Sequence, residues 1–278
     1  MAFVVDGKAL AQTREQALKT KVGELKNKGM TPRLVSIVLT DDASGQLYTR
    51  LKKEAAERIG VQFVVETVTM FSTDELSPVV RKYSKDSQTQ GIIIQRPGGK
   101  WRASHNLDRN KFEDDWNLLV ALIDPQKDVD GLRLDSKFTM ATVKAVETVL
   151  KEVGAKGKTM VVGSQGLVGR ILIKKLGVIG VDLETKDLKQ ITSVADILIS
   201  ATGEPNLIKA DMVKDQAVVI DVGWPKADVD FSSVEAKASV ITPVPGGVGP
   251  LTVICLLENL LQACYSSPYH SHSGSSLD

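Results

Sequence analysis

Thr159-Met160-Val161-Val162-Gly163-Ser164-Gln165-Gly166-Leu167-Val168-Gly169 is an apolar run that passes into three evenly spaced glycines. Its β-branched start reads as a buried strand, and a helix is expected from Leu167. Glycines let the chain turn tightly and approach another group closely. A helix N-terminus offers unpaired N–H groups and the positive end of its dipole, the features that hold a pyrophosphate. The spacing is G-x-x-G-x-x-G, close to but not the same as the dinucleotide fingerprint G-x-G-x-x-G. A tight turn without a ligand has the same glycines, so the neighbouring elements decide its meaning.

Those neighbours repeat the strand–helix rhythm. Strands are expected at 178–183, 195–201, 217–222 and 238–243, after one at 159–163. A helix is expected at roughly 139–153. Towards the N-terminus, Ala11, Leu18, Val22 and Leu25 space one helical face over 8–28, between a capping Asp6 and Gly29. Leu34-Val-Ser-Ile-Val-Leu39 and Gly91-Ile-Ile-Ile-Gln95 read as buried strands, and 61–67 is β-rich. Helices are expected at 43–59 and 74–86. Residues 100–118 mix Trp101, His105 and Trp116 with many charges and show no clear period, and 117–123 look helical. Strands separated by helices imply right-handed crossovers and parallel sheets. The fold class is α/β, with two parallel-sheet domains, the second Rossmann-like. Asp124-Pro125 marks the expected boundary between residues 1–124 and 125–248. Residues 265–278, rich in Ser and His, read as a disordered tail.

The whole-chain counts narrow the chemistry. The chain has 278 residues, 35 Lys plus Arg against 34 Asp plus Glu, and a net charge of +1. That balance argues against a broad nucleic-acid footprint. Cys255 and Cys264 are the only cysteines, too few for a disulfide scaffold, and read as small apolar residues on a C-terminal helix. A reducing cytoplasm is the default compartment. Three histidines, His105, His270 and His272, give little material for a metal site, and none is expected. No apolar run approaches the ~20 residues of a membrane-spanning helix, and no secretory signal is evident.

The strand after the glycine turn ends near Asp182 and Glu184, with Asp182 19 positions beyond Gly163. A carboxylate there accepts hydrogen bonds from a ribose 2′-hydroxyl and repels a 2′-phosphate. No arginine precedes Arg170 in the turn. The residues therefore favour NAD over NADP, although a solvated strand end would look the same.

Three segments resemble one family closely, and they run in its order. They are Ala43-Ser44-x-x-x-Tyr48-x-x-x-Lys52, Lys127-Asp-Val-Asp130-Gly131 and Thr242-Pro-Val-Pro-Gly-Gly-Val-Gly-Pro-Leu-Thr252. Ala201-Thr-Gly203, Val219-Ile-Asp-Val-Gly223 and Asp228-Val-Asp-Phe231 support them. The family is the bifunctional methylenetetrahydrofolate dehydrogenase/methenyltetrahydrofolate cyclohydrolases, and the resemblance covers nearly the whole chain. It implies oxidation of 5,10-methylenetetrahydrofolate with NAD or NADP, then hydrolysis of the methenyl product to 10-formyltetrahydrofolate, in one-carbon metabolism. Lys52 is the implied catalytic group, Tyr48 packs its ring on the folate, and Gln95 positions Lys52. Asp130 is the implied pterin ligand, with Pro245, Gly246 and Gly247 beside the substrate. For the cofactor, Gly163, Ser164, Gln165, Gly166, Leu167, Val168 and Gly169 are joined by Asp182, Glu184, Thr202, Gly203, Asp221, Gly223, Gly247 and Thr252. Further implications are a ligand cleft between the domains, a helix at 249–264 completing the first domain, and a homodimer.

Tyr48 and Lys52 stand i,i+4, so both project from one helix face. Partial burial lowers the pKa of an amine that must exchange protons near neutrality. Asp130 has the acceptors for two N–H groups on an aminopyrimidine edge. The chain also departs from the pattern. Ser164 replaces the usual arginine, Gln95-Arg-Pro-Gly-Gly99 replaces Gln-Leu-Pro-Leu-Pro, and the histidine-serine after the second cofactor strand is missing. The stretch between Gln95 and Lys127 is lengthened and the one after Gly131 shortened. Two other readings remain at this point: an enzyme keeping one of the two activities, and a non-catalytic folate- or nucleotide-binding protein.

Overall fold

Apolar strands alternate with helices throughout the described residues, 1–266 of the computed structural model. The first half runs β1 (Phe3–Val4), α1 (Gly7–Asn27), β2 (Arg33–Leu39), α2 (Ala43–Arg58), β3 (Gln62–Val68), α3 (Thr73–Lys85), β4 (Gly91–Ile94), α4 (Gly99–Ser104) and α5 (Arg109–Ala121). The second runs α6 (Ala141–Glu152), β5 (Thr159–Val162), α7 (Leu167–Leu176), β6 (Ile179–Val181), α8 (Leu188–Thr192), β7 (Ile197–Ser200), β8 (Val218–Asp221), α9 (Phe231–Glu235), β9 (Val240–Ile241) and α10 (Val248–Ser266). The chain divides into two units, each with its own parallel sheet.

One unit comprises Arg14–Ala141 and the chain from Leu256 onward. Its sheet has the order β3-β2-β4, with Ile37 opposite Ile94. Side chains alternate along a strand. Val35, Ile37 and Leu39 of β2 and Ile92 and Ile94 of β4 therefore share one face, packed against Leu76 and Val80 of α3 and Phe112 and Trp116 of α5. Ser36 points to the opposite face, where its hydroxyl meets Thr49 of α2.

The stretch 100–118 resolves into α4 and most of α5. Asp108 caps α5 by accepting from the Lys111 N–H at 2.8 Å, which sets its start. Phe112, Trp116, Leu119 and Val120 form its buried stripe, and the charges between them cover the exposed face. Arg96 lies over the Phe112 and Trp116 rings at 4.7 and 4.8 Å, and pairs with Glu113.

By composition, α10 is long and apolar enough to cross a membrane, which corrects the expectation that no run reaches that length. Most of it is buried within the protein, and two of its polar residues, Glu258 and Asn259, bond to neighbouring segments. Glu258 pairs with Arg14 at 2.8 Å, and the Asn259 amide donates to the Val129 and Thr139 carbonyls at 2.8 and 2.9 Å. Cys255 and Cys264 are both buried free thiols, and burial pushes Cys264 up to about 12. The helix runs through Ser266, so residues 265 and 266 of the expected tail are helical, and the rest of it, 267–278, lies outside the described residues.

Asn259→Leu is expected to cost about 2 kcal/mol or more, because two carbonyls lose their donor. Urea denaturation measures this, and an unchanged midpoint would show that both carbonyls find other donors.

The other unit comprises Met1–Thr13 and Thr142–Cys255. Its six strands lie in the order β1-β9-β8-β7-β5-β6, all parallel. Met160, Val162, Leu198, Val219 and Ile241 lie in its core. The sequence did not reveal β1, because two residues are too short for a period, and Phe3 is exposed. Its partner is remote: Phe3 pairs with Val240. The expected strands at 178–183 and 238–243 shorten to β6 and β9.

The boundary also differs from the expected 124/125. Residues 125–141 belong with the first sheet, where the Ile92 N–H donates to the Lys127 carbonyl at 2.9 Å and Asn259 holds Val129 and Thr139. Asp124-Pro125 is a turn inside that unit, with the division at 141/142.

Candidate active site

In the β3-β2-β4 unit, α2 starts beyond β2 and carries Tyr48 and Lys52 on one face. Lys52 is only 3% exposed, and its Nζ lies 4.6 Å from the Tyr48 ring centroid. It donates to Gln95 Oε1 at 3.4 Å and lies 3.6 Å from Asp130 Oδ2. Burial holds the Lys52 pKa below the ordinary lysine range, and the Asp130 carboxylate opposes that shift without reversing it. The four residues named from sequence for this site thus form one cluster.

Each residue of Lys127-Asp-Val-Asp-Gly131 has a separate task. The Lys127 ammonium donates to the Tyr83, Ser84 and Asp86 carbonyls at the end of α3. Buried Asp128 accepts from the Leu132 and Arg133 N–H groups, both at 3.0 Å, and burial raises its pKa. Val129 fills the core, and Gly131 turns with φ +70° directly beside Met140. These contacts leave Asp130 half-buried beside Lys52.

Sequence reasoning missed two further hydroxyls here. Ser36 Oγ accepts from Gln95 Nε2 at 3.0 Å, and Ser36 and Thr49 hydroxyls lie 3.3 Å apart. Ser36 sits inside an apolar run, and no local pattern distinguishes it from a spacer.

The glycine turn lies in the other unit, between β5 and α7. Gly163 has φ +93°, and a Cβ on Gly169 would sit 2.0 Å from the Gly163 carbonyl oxygen. Gly163 and Gly169 are buried, Ser164, Leu167 and Val168 half-buried, and Gln165 and Gly166 exposed. The end of α7 is therefore accessible, and the turn has the closeness that a pyrophosphate-binding backbone requires.

Asp182 lies at the edge of this turn. Its Oδ2 accepts from Ser164 Oγ at 3.2 Å and from the Gln165 N–H at 2.8 Å, and Oδ1 accepts from the Leu183 N–H. Glu184 is exposed.

Other expected cofactor residues take part in holding the loops. The Thr202 and Gly203 N–H groups donate to Asp228 Oδ2, which also accepts from Ser200 Oγ. Buried Asp221 accepts from the Gly223, Asp228 and Val229 N–H groups. Burial pushes its pKa up to about 6, with nearby Asp228 adding to the rise. Thr252 is buried and donates to the Val248 carbonyl at 3.1 Å. Asp221 and Thr252 thus bond this unit's own backbone. Asp228, quoted only as part of a resemblance, is the residue that ties Ser200, Thr202 and Gly203 together.

Pro245, Gly246 and Gly247 form the turn before α10. Pro245 follows a cis peptide bond and is exposed, and the Gly247 N–H donates to the Pro243 carbonyl at 2.8 Å. A Cβ at Gly7 would meet the Gly247 carbonyl oxygen at 1.9 Å, so this turn packs tightly on the start of α1.

Residues 5–130 match the family described as tetrahydrofolate dehydrogenase/cyclohydrolase, catalytic domain, and residues 140–267 match its NAD(P)-binding domain. The chain belongs to the tetrahydrofolate dehydrogenase/cyclohydrolase family. The bifunctional protein FolD of Lactobacillus helveticus is 38% identical over 94% of this chain and 97% of its own. The crystal structure of the bifunctional FolD dehydrogenase/cyclohydrolase of Campylobacter jejuni is 32% identical, with a TM-score of 0.82 over 95% of this chain and 99% of that one. The Trypanosoma brucei FolD, complexed with NADP cofactor and inhibitor, is 28% identical with a TM-score of 0.82, covering 96% and 99%. Within this tetrahydrofolate dehydrogenase/cyclohydrolase, the division at 141/142 leaves the catalytic-domain match, 5–130, almost wholly in the unit that holds Lys52.

Proposed function

We propose that this chain oxidises 5,10-methylenetetrahydrofolate with a nicotinamide dinucleotide and hydrolyses 5,10-methenyltetrahydrofolate to 10-formyltetrahydrofolate. The observation that carries this reading is the buried lysine itself. Lys52 is held by Gln95 and Asp130 beside the Tyr48 ring, with its pKa lowered by burial. A neutral amine in that setting is a general base. It takes a proton from the water whose oxygen bonds to the methenyl carbon. The protonated amine then returns a proton to N5 of the pterin as the carbon–N5 bond breaks, and the remaining hydroxyl proton passes to solvent, leaving the formyl group on N10. Asp130 binds the aminopyrimidine edge through paired hydrogen bonds, and Tyr48 stacks on the ligand ring.

When bound, the nicotinamide accepts the hydride of the oxidation step. Residues 163–169 hold the dinucleotide by backbone N–H groups, and Ser200, Asp228 and Thr202 shape the neighbouring loop. Asp182 favours NAD, because its carboxylate accepts from ribose hydroxyls and repels a 2′-phosphate. The family resemblance supports a homodimer. We place the enzyme in the cytoplasm, a compartment that suits two buried free thiols.

Purified protein given methylenetetrahydrofolate with NAD or NADP tests the reading, with reduced nicotinamide and formyl product both followed. Appearance of neither product refutes it. For cofactor choice, Asp182→Ser is expected to raise affinity for NADP relative to NAD about tenfold, the scale of one removed charge repulsion. Titration of both dinucleotides against wild type and variant decides this, and an unaltered ratio rejects the assigned role of Asp182.

A further inference from the structure

An amide side chain has a carbonyl end and an NH2 end of nearly equal shape, and its neighbours determine which end points where. Gln95 is 7% exposed, with Oε1 towards Lys52 and Nε2 towards Ser36. Reversing it would change the base. With the carbonyl forward, Lys52 keeps its lone pair for water and finds an acceptor once protonated. With the NH2 forward, Gln95 would donate into that lone pair, and the ammonium would lose an acceptor.

Ser36 alone does not select between these orientations, since a hydroxyl both donates and accepts. A second hydroxyl beside Ser36 can make the selection. Thr49 Oγ1 lies 3.3 Å from Ser36 Oγ, and both residues are buried, at 3% and 0% exposure. If Ser36 directs its hydrogen to Thr49, its oxygen is left to accept from Gln95 Nε2. We infer that Ser36 and Thr49 form an orientation lock that keeps the carbonyl of Gln95, and not its nitrogen, turned to Lys52. Both are positioning residues: they act on the lysine only through Gln95. The lock rests on the proposed role of Lys52 as the base of the hydrolysis. Also facing Lys52 are the Asp130 carboxylate and the Tyr48 ring.

Thr49→Val keeps the shape and removes the acceptor. The Ser36 hydroxyl then turns its hydrogen to Gln95 Oε1, and the amide reverses. On the alkaline plateau, kcat for hydrolysis is expected to fall about tenfold with KM for the methenyl substrate little changed. The protonation midpoint of Lys52 should fall by about one pH unit, the scale of one hydrogen bond to a charged group. The midpoint is read without turnover, from the ¹³Cε resonance of Lys52 in full-length protein labelled at lysine and assigned with Lys52→Arg. Thr49→Ser retains the hydroxyl and should restore both values. A lower melting temperature with an unmoved Lys52 midpoint would reduce the pair to packing and overturn the lock. Should Thr49→Val not fold, Ser36→Ala removes the acceptor of Gln95 Nε2, and there too the midpoint must fall or the lock is wrong. Absence of hydrolysis by the wild type would refute the proposed reaction and leave the resonance titration as an independent test of the lock.

Discussion

Lys52→Met removes hydrolysis of methenyltetrahydrofolate while leaving the protein as stable as wild type or more so. The two halves of that expectation come from one fact, the burial of an amine that is only 3% exposed. Desolvation disfavours the charged form, so this lysine sits at a cost that Asp130, at 3.6 Å, only partly offsets. Methionine fills similar volume without an ammonium and relieves that cost. The same substitution removes the amine placed beside Tyr48, Gln95 and Asp130. Loss of a positioned general base slows a reaction by about 10²- to 10⁴-fold.

The pH dependence has a definite sign. Lys52 must be neutral to accept a proton, so the rate falls as pH drops through its pKa. Burial places that fall below the range of an exposed lysine. Hydrolysis followed across pH, with thermal melts of both proteins, measures all three effects. An unchanged rate in Lys52→Met would reject the assignment. Equal loss of the dehydrogenase step would make Lys52 a substrate-binding group instead of the base.

Contacts between near neighbours in sequence are legible from it, and contacts between residues brought together only in space are not. Tyr48 and Lys52 share a helix face because of i,i+4 spacing, and the resemblance singled out that face. The partners of Gln95 depend on the register that sets Ile37 beside Ile94, and the Gln95 N–H donates to the Ile37 carbonyl at 2.8 Å. That register lies 57 residues apart in the chain, so Ser36 looked like one more position in a buried strand. Trp116 and Phe112 were hidden in a different way, since the charges of α5 belong to the solvent face of the same helix. The sequence points Asp182 towards a ribose, and two of its hydrogen-bond partners, Ser164 and Gln165, belong to the turn it borders. Asp228 bonds Thr202 across 26 residues, a contact made by the parallel pairing of β7 with β8 and the loops that follow it. Local period reveals strands and helices. The hydrogen bonds that finish a site are set by how the strands pair.

Gly169→Ala should separate the two activities. A methyl group there would sit 2.0 Å from the Gly163 carbonyl oxygen and 2.8 Å from its carbon. Both are backbone atoms of a turn whose first residue already has φ +93°, so the neighbour has no side chain to swing aside. The start of α7 must move away from β5, and the N–H groups at its end move with it. Overpacking of this kind costs about 1–3 kcal/mol, and a misplacement of about 1 Å in a positioning element can cost about 10²-fold in rate. The dehydrogenase step should therefore lose about 10- to 100-fold in kcat/KM for the dinucleotide. Hydrolysis should remain near wild type, because Lys52, Tyr48, Gln95 and Asp130 all belong to the other unit. The decisive comparison is the ratio of the two activities in one preparation, which cancels any loss of folded protein. A lower melting temperature with that ratio unaltered would make residues 163–169 a tight turn without a ligand, the reading that the glycine spacing by itself leaves open. A changed ratio assigns the turn to the cofactor by the same steric contact that makes glycine necessary at 169.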